Sequence, residues 1–177
     1  MAATQVKGAV NLRKALNKFT PDLAKETTKE IASFLKPIVK QARGYAPSSS
    51  PLSGWAPRPN STAKFPTYDG AIVKRGITYQ TSPSKPNRRG FRSLAAIYNK
   101  SAAGAIYETA GRKTAGGRFS PKLNGELKGR DKDQGRLIFR AWAKTQGRAN
   151  ASVLKAIENT SSRFNKRTQI VDIRRAA

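Results

Sequence analysis

Lysine and arginine outnumber aspartate and glutamate by 35 to 10 in this chain, a net charge of +25 over 177 residues. Any compact arrangement crowds like charges, so the fold must spread them over a surface or hand them to an acidic partner. The charge is not confined to a tail. Between Gly70 and Tyr107 lie Lys74, Arg75, Lys85, Arg88, Arg89, Arg92 and Lys100, with no acid among them. A sequence pI of 11.2 points to nucleic acid, acidic protein surfaces, or both, as partners. With 37% hydrophobic residues and a mean hydropathy of -0.62, the chain can bury one modest core. Many of its ordered residues are then expected to lean on neighbouring subunits.

The absent residue types narrow the chemistry. There is no Cys and no His, which removes thiolate and imidazole metal ligands, Cys nucleophiles and Ser-His-Asp triads. The remaining candidates do not assemble into a site. Asp131 and Asp133 sit among Lys128, Arg130, Lys132 and Arg136 and read as a charge-balanced loop. Glu26 and Glu30 have the i, i+4 spacing of exposed helix decoration. Gly111 to Thr114 lacks the upstream glycine of a phosphate loop, and Ser48 to Ser50 have no base nearby. The expectation is a non-catalytic protein with no cofactor and no metal. No stretch has the apolar length of a membrane span, and Met1 to Asn17 lacks a signal-like apolar run. A soluble, intracellular chain is expected.

Helical periodicity is clearest near the N-terminus, from Leu12 to Tyr45 with a break at Thr20. Thr20 is placed as an N-cap, Pro21 at the first helical position and Asp22 at the positive end of the dipole. Leu23, Thr27, Ile31, Phe34, Leu35, Ile38, Val39 and Ala42 form one apolar stripe. Lys25, Lys29, Lys36, Lys40 and Arg43 gather within about 60° on the other side. Pro37 is expected to kink this helix or remove one of its hydrogen bonds. Ala46 to Asn60 is a Pro-, Ser- and Gly-rich loop carrying Trp55, which either folds back on the core or enters a neighbour's pocket.

Ala71 to Val73 and Ile77 to Tyr79 suggest a strand or hairpin; Leu94 to Tyr98 and Ala105 to Tyr107 suggest short strands about a turn at Ser101 to Gly104. Thr81 to Gly90 is a basic, proline-containing loop, and Gly111 to Gly135 a long Gly/Lys/Arg-rich one. A hydrophobic entry at Leu137 to Trp142 leads to a second helix over Ala149 to Phe164. Thr168 to Ile173 is β-branched and is expected to add a final strand. The whole chain, 1-177, reads as one domain with extended loops at about 46-66 and 111-135.

Three segments in order carry a family resemblance: Ala42-Arg43-Gly44-Tyr45-Ala46-Pro47 at the end of the helix, with a Ser-rich turn to Leu52 and Gly54; Ala105 to Gly111 (AIYETAG); and Leu137 to Trp142. The chain resembles the tail-completion, or neck, proteins of long-tailed bacteriophages, a group similar to the minor tail protein Z of lambda-like phages. It departs from them in placing Leu52 before Gly54, in Trp55, and in the length and basicity of 111-135. The resemblance implies an α+β fold: a long N-terminal amphipathic helix and a C-terminal helix packed on a small antiparallel sheet, with long basic loops. It also implies a virion structural protein, a homo-oligomeric ring with a hexamer expected, that joins the head connector to the tail-terminator or tail-tube proteins around the DNA channel.

On that reading the partner or DNA contacts are basic: Lys25, Lys29, Lys36, Lys40, Arg43, Arg88, Arg89, Arg112, Lys113, Arg118, Lys128 and Arg130. Trp55, Tyr107, Ile170 and Ile173 are the expected subunit contacts. Protein partners are expected to take most of the charge, because a lumen lined wholly with Lys and Arg would hold DNA and slow its passage. A tail-terminator or head-completion ring is a near alternative. The alternative of another class is a non-specific nucleic-acid-binding protein, nucleoid- or ribosome-associated, in which basic loops work with Trp55, Phe65, Tyr68, Tyr79, Phe91 and Tyr98.

Overall fold

Local sequence signals place the helix starts, and the computed structural model shows how they are used. It describes residues 9-57, 65-111, 123, 127-128 and 134-176, with the backbone alone at 9, 10, 12, 19 and 168-176. The elements in order are α1 (Ala9–Phe19), α2 (Pro21–Gly44), a 3-10 turn (Ser53–Trp55), α3 (Gly70–Gly76), β1 (Ile77–Gln80), β2 (Ala96–Asn99), α4 (Ala102–Thr109) and α5 (Ile138–Ala176). β1 and β2 pair as a two-stranded antiparallel sheet. The class is α+β, as expected. No helix among the described residues is long and apolar enough to cross a membrane.

The chain forms two compact units, each drawn from separate stretches. One comprises Met1–Leu35, Gln80–Ala96 and Gly147–Ala177; the other comprises Lys36–Tyr79 and Ile97–Gln146.

In the first unit, Leu16, Leu23 and Ala24 form a buried cluster against which Phe164 packs. The break at Thr20 is real. Its N–H closes α1 on Leu16 O (2.8 Å) and its carbonyl accepts from Ala24 N (3.2 Å). With its backbone held by both helices, the Thr20 hydroxyl is buried and finds no hydrogen-bond partner among the described residues, so it does not act as the expected side-chain cap. Thr27 and Thr160 meet with their hydroxyls 2.8 Å apart, while each also lies 2.7 Å from a carbonyl of its own helix, Leu23 O and Ala156 O. Two hydroxyl protons cannot fill three contacts, so a bond across the pair forms only when one hydroxyl turns its proton from its own helix carbonyl. Arg13 donates to Thr81 O, and burial holds its guanidinium below the usual arginine range.

In the second unit the core is aromatic. Tyr68 sits between Trp55 (ring centroids 5.2 Å) and Tyr107 (5.8 Å, edge-on), and Val73, Ile77 and Leu137 of the same unit are buried as well. The Trp55 indole N–H donates to Pro66 O (2.7 Å) and the Tyr68 hydroxyl to Pro47 O (3.1 Å). Both polar tips are thus satisfied within the unit.

Three expected strands are helical instead, and caps or the lack of a breaker explain each. Ala71 to Val73 belongs to α3 because the Asp69 carboxylate accepts from Ala71 N (2.8 Å) and Ile72 N (3.1 Å). Ala105 to Tyr107 belongs to α4, where the Ser101 hydroxyl accepts from Gly104 N (3.1 Å). The expected turn at Ser101 to Gly104 is this cap and first helical turn. Thr168 to Ile173 is helical backbone within the 39-residue α5, which contains the expected helix 149-164 and begins at the hydrophobic entry. No Gly or Pro follows Gly147, so propagation outweighs the β preference of the branched residues. Pro37 lies inside α2 without ending it.

Leu23 is 1% exposed at the centre of its cluster. Leu23→Ala is expected to cost about 2–5 kcal/mol in denaturant unfolding, through lost burial and a residual cavity.

Candidate functional site

A chain with ten acids cannot pair most of its cations with carboxylates, so the fold engages them with carbonyls and rings. Arg43 donates from Nε (3.0 Å) and Nη2 (2.7 Å) to Ile77 O. Arg140 lies over the Tyr45 ring at 4.3 Å and Lys144 lies 5.3 Å from its centroid. Lys74 donates to the Ser48 hydroxyl (2.8 Å). Exposed Arg163 meets exposed Glu26, a surface pair of small energetic weight.

The most constrained group in the second unit is the junction of α4 and α5. Glu108, 4% exposed, extends its carboxylate to the start of α5, where Oε2 accepts from Leu137 N (2.7 Å) and Ile138 N (3.1 Å) and Oε1 from Phe139 N (2.8 Å). Arg136, also 4% exposed, reaches the other way and donates to Tyr107 O (3.1 Å) and Ala110 O at the end of α4. An anion on α4 thus serves orphan N–H groups at the positive end of α5, and a cation preceding α5 serves the negative end of α4. Charge-assisted bonds of this kind are among the stronger ones in proteins. The guanidinium also lies 5.6 Å from the Tyr107 ring centroid. Burial pushes the Arg136 pKa down, opposed by Tyr107 and Glu108, and burial raises that of Tyr107.

Gly135 permits the approach. A Cβ there would meet Glu108 Oε1 at 2.1 Å. Lys128 and Gly135 exchange both backbone hydrogen bonds (3.1 and 3.0 Å), an antiparallel bridge that positions this glycine.

The sequence-derived residues divide accordingly. Lys25, Lys29, Lys36 and Lys40 are all exposed, the first two in the first unit and the others in the second. Arg43, also expected as a partner contact, is committed through its guanidinium to Ile77 O. Trp55 (3% exposed) and Tyr107 (2%), expected as subunit contacts, are core residues of the second unit, with both rings packed on Tyr68. Ile170 and Ile173 lie on helical backbone, and their side chains, like Arg112, Lys113, Arg118 and Arg130, fall outside the described residues. Lys128 is exposed at its bridge to Gly135. Arg88 and Arg89 are exposed at the tip of an ordered turn over 84-93. In the sequence Glu108 lies within the AIYETAG motif and Arg136 among loop charges, and neither stands at a position that marks a local cap. The available signal is a lone acid between Tyr107 and Thr109 in a basic chain.

Glu108→Ala is expected to lower stability by about 3–5 kcal/mol, since it leaves the Arg136 charge buried without its counterpart. In a double-mutant cycle with Arg136→Ala, measured by denaturant unfolding, the double variant should lose less than the sum of the two single losses.

Comparison of the chain with family models, with curated proteins and with solved structures finds no match.

Proposed function

We propose that this chain is a non-catalytic structural subunit of a phage head-tail joint, a homo-oligomeric ring between the head connector and the tail. One observation carries the reading: the three segments on which the resemblance rests are packed together in the second unit. Ala42 and Ala46 are buried, Arg43 bonds Ile77 O, and Pro47 O accepts from the Tyr68 hydroxyl. Tyr68 packs on Tyr107, and the neighbouring Glu108 holds the start of α5. Segments 42-47, 105-111 and 137-142 are therefore parts of one packed arrangement, as they would be if the resemblance reflected a common fold.

The acidic side chain in this arrangement also has a structural use. The Glu108 carboxylate is occupied by three backbone donors and is not presented to a substrate. The exposed lysines of α2 remain available to acidic surfaces of a neighbour, where complementary charge speeds and orients association. Closed rings of identical subunits bury surface that a lone chain with a small core leaves open.

Light scattering coupled to gel filtration should give a molar mass several-fold that of the chain, with closed rings in electron micrographs, and the chain should be located at the neck of intact particles. A chain that is monomeric at all concentrations and absent from particles overturns the proposal, whatever its affinity for DNA. Replacing Lys25, Lys29, Lys36 and Lys40 together with Ala should leave helical circular dichroism nearly unchanged and weaken assembly by at least ten-fold. Unchanged assembly would mark these lysines as a solvated face.

A further inference from the structure

The loop from Ser84 to Ser93 has the sequence SKPNRRGFRS. Reverse turns this basic are ordinarily loose, because four cations in ten residues repel one another. This one is tied at several points. At its base Ser84 N donates to Ser93 O (3.0 Å) and Ser93 N donates to the Ser84 hydroxyl (2.9 Å). Further out, Asn87 N donates to Phe91 O (2.9 Å) and Gly90 N to Asn87 O (2.9 Å). The Asn87 side-chain oxygen accepts from both Arg89 N and Phe91 N, each at 2.9 Å. Gly90 turns the chain at φ +72°, which a side chain would resist, and Pro86 restricts φ on the way in.

The result is a pre-organised tip. Lys85, Arg88, Arg89 and Arg92 are all exposed on it, and Phe91, 46% exposed, is among the few large apolar side chains left open to solvent in the described residues. An apolar ring held outside the core costs hydration free energy unless it has a partner. Guanidinium groups beside an open aromatic ring match a nucleic-acid strand, since Arg meets phosphate oxygens bidentately and a ring stacks on an exposed base. An acidic protein surface can use the cations and cover the ring, but a single strand sets a flat base beside every phosphate, which suits one open ring among four cations.

We propose that the Asn87-ordered turn, residues 84-93, is a sequence-independent nucleic-acid contact in which Lys85, Arg88, Arg89 and Arg92 bind phosphates and Phe91 stacks on an unpaired base. Asn87 is a positioning residue. The inference goes beyond the ring reading and holds whether or not the chain assembles. It also differs from a fully basic lumen, because one turn engages only a few phosphates and releases them readily.

The probes are a fluorescent thymidine oligonucleotide of about twenty residues and a duplex of similar length, titrated with the full chain across a range of salt. Lys85→Gln, Arg88→Gln, Arg89→Gln and Arg92→Gln combined should lower affinity at least ten-fold and reduce the salt slope by about 3–4. A control of equal charge, Arg148→Gln, Lys155→Gln, Lys166→Gln and Arg167→Gln, changes exposed α5 residues and should lose much less. Phe91→Ala keeps every cation and should weaken the single strand about ten-fold while leaving the duplex nearly unaffected. Asn87→Ala, also with full charge, should weaken both probes several-fold. Equal losses for the two neutralised variants would show binding by overall charge and overturn the proposal. So would a neutralised turn that keeps DNA affinity but no longer joins the particle, which would make the turn a protein contact. Circular dichroism verifies that each variant is folded.

Discussion

The second unit depends on a reciprocal exchange of charge between two helix ends. Glu108 on α4 holds the first N–H groups of α5, and Arg136, just before α5, holds the last carbonyls of α4. Neither charge would tolerate burial alone, since the desolvation of an isolated carboxylate or guanidinium exceeds what most single contacts return. Together they satisfy helix ends that would otherwise be orphaned inside the fold. Tyr107, next to Glu108 in the chain and with its ring 5.6 Å from the Arg136 guanidinium, carries the aromatic chain of Tyr68 and Trp55 into the same junction.

That exchange illustrates how an acid-poor chain manages its cations. Carboxylates are too few to neutralise them, so Arg43 and Arg13 terminate on backbone carbonyls and Arg140 and Lys144 on the Tyr45 ring. Arginine suits this work because its planar fork is weakly hydrated and bonds in several directions. The exposed lysines of α2 and the 84-93 turn are left facing solvent. Cations held by carbonyls and rings brace the fold, while the lysines of α2 and the cations of the turn keep a positive field at the surface.

Much of the helical framework was legible from spacing. The two N-terminal helices, the break at Thr20, Pro21 at a helix start and the apolar stripe through Ile31 and Ile38 all follow from periodicity and proline chemistry. The short central elements were not, because Ala71-Ile72-Val73 and Ala105-Ile106-Tyr107 have composition suited to either state. Their conformation turns on Asp69 and Ser101, one residue before each helix. Of the candidate site, the exposed lysines and the Arg88-Arg89 tip could be read as surface charge. The closure of that tip by Asn87 and Ser84 could not, because those hydrogen bonds depend on backbone geometry.

By itself the sequence determined the excess of positive charge, the lack of thiol and imidazole chemistry, and the amphipathic α2, since these follow from composition and local period alone. Only the tertiary structure decided that Trp55 and Tyr107 face inward, that the segment from Thr168 to Ile173 continues a helix, and that Glu108 caps α5 from about thirty residues away. The physical reason is the same in each case. A polar or aromatic group takes its role from the partner that satisfies it, and here that partner is remote in sequence or supplied by the backbone.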